Sequence, residues 1–125
     1  MEYEILFGTP EMKDRLENLF DQLENDAIGK NDLKLLKKFE KTTRFLASDP
    51  FYNSLRTHEI SSLTKRYGRK VMQSYMENKT PKPWRLYWVF GPDEQQITLI
   101  GMERHPNDAK ASAYDKVQLS GLPEG

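Results

Sequence analysis

The sequence predicts an α+β domain: an N-terminal strand and a helical hairpin packed on a small, mainly antiparallel sheet. Three observations predict it. Apolar residues recur at helical spacing in two stretches of the first 50 residues. Three strand-like runs separated by turn residues follow them. A chain of 125 residues without cysteine suits one domain that buries its core without disulfides. The domain is expected over residues 1–117, with 118–125 as a flexible C-terminal tail.

Tyr3 to Gly8 reads as the first strand. Thr9-Pro10-Glu11 is a helix start, with threonine as cap, proline at the first helical position and an acid in the first turn. Met12, Leu16, Leu19, Phe20 and Leu23 then form one apolar face, and Gly29 ends the helix. Asn31 or Asp32 can cap a second helix with Leu33, Leu36, Phe39 and Leu46 on its inner face; Asp49-Pro50 stops it. Ser61 to Gly68 is a helical turn or an ordered loop. Strands are expected at Val71–Glu77, Trp84–Phe90 and Gln96–Glu103, the last two joined by Gly91-Pro92-Asp93-Glu94 at hairpin spacing. A helix-prone stretch, Ala109 to Val117, closes the chain.

Net charge is zero but unevenly spread. Residues 1–50 hold 8 Lys/Arg against 11 Asp/Glu, residues 51–90 hold 8 against 2, and residues 91–125 hold 3 against 6. A basic middle segment is the footprint of a polyanion partner, or a solvated lysine-rich loop. Within it a proline-broken turn enters the strand Trp84-Arg85-Leu86-Tyr87-Trp88-Val89-Phe90. Alternation puts Leu86, Trp88 and Phe90 on one face, the core, and Arg85, Tyr87 and Val89 on the other. The absence of cysteine excludes thiol catalysis and cysteine-held metals, and no metal cluster or glycine-rich phosphate loop is recognisable, so no cofactor is expected. Met1-Glu2-Tyr3-Glu4 lacks the character of a signal peptide, and no apolar run approaches a membrane span. A cytoplasmic protein without membrane contact is the expectation.

In the order of its elements and in three local signatures the chain resembles the RelE/ParE toxin superfamily, with its HigB and YoeB branches. The signatures are Leu55-Arg56-Thr57-His58-Glu59-Ile60, Trp84-Arg85-Leu86-Tyr87-Trp88, and Ile97 to His105. The resemblance implies a sheet with the helical hairpin on one face and a concave working surface on the other. It also implies a toxin that cuts mRNA on the ribosome and is neutralised by a cognate antitoxin protein. By position, Arg85 matches the arginine of the middle strand that stabilises the scissile phosphate. Arg104 and His105 fall where the last strand delivers a cation or a general acid/base. Gln73, Tyr75 and Glu77 alternate along the preceding strand, and Tyr114 lies near the family's C-terminal tyrosine.

Cleavage of RNA to a 2′,3′-cyclic phosphate requires a base for the 2′-hydroxyl, a cation for the phosphorane and an acid for the leaving 5′-oxygen. Positioned acid/base groups contribute roughly 100- to 10,000-fold, and donors aimed at developing charge are of comparable weight. The candidate catalytic residues are therefore Arg85, His105, Arg104 and Glu77. The candidate RNA-binding residues are Tyr87, Tyr75, Gln73, Lys79 and Lys82, with Tyr87 as a base-stacking platform. Each has a structural alternative: Arg85 in a cross-strand pair with Glu103, Tyr87 in a packed sheet face, Glu77 paired with Lys79 or Arg85, and His58 as a loop-ordering residue. The neutral charge, and the lack of the lysine pair that the RelE branch carries, favour an alternative function. That is a non-catalytic relative, such as a ParE-like gyrase inhibitor.

Overall fold

The computed structural model describes residues 2–105 and 111–123. Strand β1 (Glu4–Phe7) leads into helices α1 (Glu11–Glu24) and α2 (Lys30–Ser48). After a 3₁₀ turn at Asn53–Leu55 come β2 (His58–Glu59) and α3 (Ser61–Tyr67). Then follow β3 (Met72–Tyr75), β4 (Trp84–Phe90), β5 (Gln96–Arg104) and a second 3₁₀ turn at Ala111–Tyr114. The order across the five-stranded sheet is β1-β5-β4-β3-β2. β1 runs parallel to β5, in register from Glu4 opposite Gln96 to Phe7 opposite Leu99, and the other pairs are antiparallel. The α+β architecture expected from the sequence is present.

One face of the sheet packs on the hairpin. Leu16, Leu19, Leu36, Phe39 and Leu46 from α1 and α2 meet Leu86, Trp88, Ile97, Leu99 and Met102 in a single apolar core. Trp88 is wholly buried, and its indole N–H donates to Ser74 Oγ at 2.8 Å. Phe90, expected in this core, lies at its rim and is 36% exposed. It contacts Tyr3 and Phe51 there.

The other face is not the open concave surface that the sequence suggested. It carries a second core of Ile60, Leu63, Val71, Tyr87, Val89, Ile100 and Val117, with Tyr67, Tyr114, Leu119 and Leu122 against it. α3 and the C-terminal segment supply its outer layer. α3 ends at Gly68, whose φ of +86° supplies the left-handed C-terminal position where glycine is favoured.

The described part of the expected tail, 118–123, is docked rather than loose. Ser120 N–H donates to Ile100 O, and Thr9 and Gly121 exchange both backbone bonds. Tyr67 Oη donates to Ser120 O at 2.8 Å. Arg66 donates to Asp115 O at 2.8 Å and to Val117 O at 2.6 Å. These bonds satisfy backbone groups that lack a ladder partner, so an irregular segment can cover a sheet. The close crossing requires small residues beneath it. A Cβ on Gly101 would stand 2.9 Å from Gln118 O, and one on Gly8 would stand 2.8 Å from Ser120 Cβ.

The α1 cap also differs from expectation. Thr9 makes no side-chain cap; its hydroxyl reaches Leu122 O at 3.4 Å. Ser120 Oγ accepts the Met12 N–H at 2.8 Å instead. The expected helix at Ala109–Val117 is, in its described part, the 3₁₀ turn; residues 109 and 110 lie outside the described residues.

Candidate functional site

On β4 the pleat carries Arg85 to the face opposite the helical hairpin, where β3 supplies its neighbours. Tyr75 pairs with Arg85 in register, and the Arg85 guanidinium lies 3.4 Å over the Tyr75 ring. Arg85 donates from Nη1 to Glu77 O. Its Nε is buried and has no hydrogen-bond partner among the described residues. Burial pushes the guanidinium below its ordinary pKa, while Tyr75, Tyr87 and Tyr114 act in the other direction. The residue is only 5% exposed. Glu103 stands directly opposite on β5, yet no ion pair forms; its carboxylate accepts the Gln118 N–H at 2.6 Å.

His105 joins this group from the end of β5. Its N–H donates to Pro83 O at 2.7 Å, which extends the β4–β5 ladder by one bond. Its Nε2 lies 3.3 Å from the Tyr114 hydroxyl, and the two rings meet edge to face. Tyr114 in turn packs edge-on against Tyr87 with centroids 6.5 Å apart. The face thus gathers a cation, an imidazole and a phenol from β4, β5 and the C-terminal segment. Of the sequence candidates, Arg85, His105 and Tyr75 come together here, with Tyr114 beside them.

Arg104 does not join them, which corrects the expected grouping. A bulge between Tyr87 and Trp88 sets Tyr87 opposite Gly101 but Trp88 opposite Leu99. The extra residue, Ile100, packs on the second face, and Met102 returns to the first. Arg104 therefore projects on the hairpin side, its guanidinium 5.0 Å from the Trp84 ring centroid. Consecutive residues Arg104 and His105 serve opposite faces.

Three further candidates are corrected. Glu77 is engaged: Lys38 Nζ contacts its carboxylate at 2.6 Å, and the Trp84 N–H donates to it at 3.0 Å. Burial opposes ionisation of Glu77, but the Lys38 and Trp84 bonds outweigh it and hold the carboxyl below its usual range. A carboxylate so held is a poor general base. Tyr87 is wholly buried and cannot stack a base; burial pushes its phenol up to about 12. Gln73 is 1% exposed and spends its amide on Tyr87 Oη at 3.2 Å. Lys79 and Lys82 lie exposed in the β3–β4 turn with positive φ, the first bonded through its N–H to Asn78 Oδ1 and the second through its carbonyl to Arg104. His58 orders its own turn by a 2.8 Å contact with Arg56 O.

Sequence reasoning missed Arg15. β1 covers β5 only as far as Leu99, so the later part of β5 is an edge. Arg15, on α1, donates to Met102 O at that edge and lies 5.3 Å over Trp84. Beside it a cleft of about 610 Å³ opens between α1, β5 and the C-terminal segment, with Arg104, Lys116 and Gln118 in its wall. The one available signal was a cation on the inner side of a helix that is otherwise apolar there.

No helix among the described residues is long and apolar enough to cross a membrane. No group of three or more His, Asp or Glu among the described residues could hold a metal ion. Comparison with protein-family models, with curated proteins and with solved structures found no match for this chain.

Proposed function

We propose that the chain is the toxin of a toxin–antitoxin pair, an endoribonuclease that stops translation by cutting mRNA on the ribosome. The observation that carries the reading is the juxtaposition of Arg85, whose buried Nε has no partner among the described residues, and the His105–Tyr114 pair on one face. An orphaned donor on a buried cation is costly unless an anion completes it. A scissile phosphate is such an anion, and guanidinium donors match its oxygens.

In this reading the RNA 2′-oxygen attacks phosphorus and its proton passes to the His105 imidazole. The P–O5′ bond breaks, and the 5′-oxygen takes a proton from the Tyr114 hydroxyl. Arg85 neutralises charge that develops on the phosphorane oxygens. Tyr75 holds the guanidinium plane by stacking.

The burial of Arg85, Tyr87 and Gln73, and the pairing of Glu77 with Lys38, favour the second reading. In it the protein is a non-catalytic relative that binds a protein target such as gyrase. Induced expression with pulse labelling of protein and DNA synthesis separates the two. An immediate stop in protein synthesis, with 2′,3′-cyclic phosphate ends on mRNA, is expected; arrest of DNA synthesis alone, or no arrest, overturns the nuclease reading.

A further inference from the structure

We propose that the hairpin side of the sheet end is a second nucleic-acid subsite: a groove around Arg15, Trp84 and Arg104 that holds the phosphodiester backbone of a single RNA strand. Two adjoining clefts meet there. The first, about 610 Å³, is walled by Arg15, Arg104 and Lys116. The second, about 330 Å³, is walled by Lys34 and Lys38 of α2, the latter paired with Glu77 of the same wall. Both share Trp84 and Arg104, so the clefts form one path across the end of β4 and β5.

The chemistry of the path suits a single strand. Arg15 and Arg104 each use Nη1 for a backbone carbonyl, of Met102 and Lys82. A guanidinium carries five N–H donors, so among the described residues each retains donors for phosphate oxygens. Both guanidiniums lie about 5 Å from the Trp84 centroid, within cation–π reach of its ring. A basic groove with aromatic and guanidinium planes in it is the arrangement that holds unpaired bases and their backbone. The bulge gives this groove its relation to the other face. Arg104 ends the groove and His105, the next residue, begins the Arg85 cluster, so a strand lying in the groove is delivered to that cluster. Glu11 and Glu103 also line the first cleft and repel anions there, so the phosphates of the strand are held on the Arg15, Arg104 and Lys34 side of the path.

The inference takes its ligand class from the RNA reading above, but its test does not depend on cleavage. The probe is a fluorescent, 2′-O-methylated and therefore uncleavable RNA of about 12 nucleotides, within the site sizes of single-strand grooves. Anisotropy titrations across a range of salt concentrations compare the wild type with a Lys34→Glu/Arg104→Glu variant, both positions being exposed. The variant is expected to bind at least about tenfold more weakly, with a salt slope lower by roughly 0.7 for each lost phosphate contact. A Lys65→Glu/Lys70→Glu variant makes the same charge change on exposed residues outside the groove and is expected to bind normally. Equal loss in both variants, no loss in the first, or equally tight binding of an oligoglutamate peptide overturns the proposal. RNA binding that depends on Lys34 and Arg104 in a protein without nuclease activity upholds the groove and overturns only the nuclease reading.

Discussion

The two faces of this sheet are built from different materials. The hairpin face is closed by two regular helices and large apolar side chains from β4 and β5. The opposite face is closed by a seven-residue helix and an irregular segment, and it buries Arg85, Gln73 and the phenol of Tyr87 among its apolar residues. The first face derives its stability from area removed from water. The second depends on side-chain bonds to backbone, from Arg66, Tyr67 and Ser120, that hold the cover in place. Burying polar groups is expensive unless each is bonded, so the second face is where chemistry is expected and where substitutions act through the cover.

The largest effect belongs to the first face. Trp88→Ala removes a wholly buried indole and its bond to Ser74, and is expected to cost about 3–5 kcal/mol in denaturant unfolding. Its neighbour across the sheet, in Tyr87→Phe, loses only the bond to Gln73 and is expected to cost about 1 kcal/mol. Equal costs would break the distinction between the faces. Next comes the cover. Gly101→Ala places a methyl against Gln118 O and is expected to destabilise by about 1–3 kcal/mol. Amide exchange at Ser120 should rise with it while Leu86 and Trp88 stay protected; uniform exchange would mean that the cover is not a separate unit.

Ser120→Ala removes the acceptor of the Met12 N–H and should cost about 1 kcal/mol, in line with loss of a helix cap. The smallest effect is pH-dependent. Glu77 is lowered in the folded state, so its contribution is fully present above the ordinary glutamate value of the unfolded chain and is lost as pH falls through the folded value. Glu77→Gln should therefore be less stable than the wild type at neutral pH and converge with it in acid. A constant difference across that window would show that Glu77 does not act as a charge.

Much of the fold was legible. Trp84–Phe90 forms the strand that its alternation predicts; Met12, Leu16 and Leu19 of α1 and Leu36, Phe39 and Leu46 of α2 pack where their spacing puts them, whereas Phe20 and Leu23 lie exposed and Leu35, not Leu33, is buried. The second core was not legible, because Leu63, Val117, Leu119 and Leu122 are scattered through short or irregular segments with no period to read. Arg85 therefore looked exposed when it is covered. The face of Arg104 depended on the bulge at Ile100, which slips the alternation by one residue. Leu99-Ile100-Gly101, two adjacent apolar residues and a glycine inside a strand, was its trace in the sequence. The cap of α1 was beyond local reading, since Met12 and Ser120 are 108 residues apart.

That long-range cap has a consequence for the order in which the chain folds. β1 can pair only when β5 exists, and α1 gains its cap only when Ser120 has been made. Neither closure is local, and the loop entropy of both must be met before their contacts form, which slows folding. During synthesis the first helices consequently emerge without their sheet. The fold closes only after Ser120 has been made.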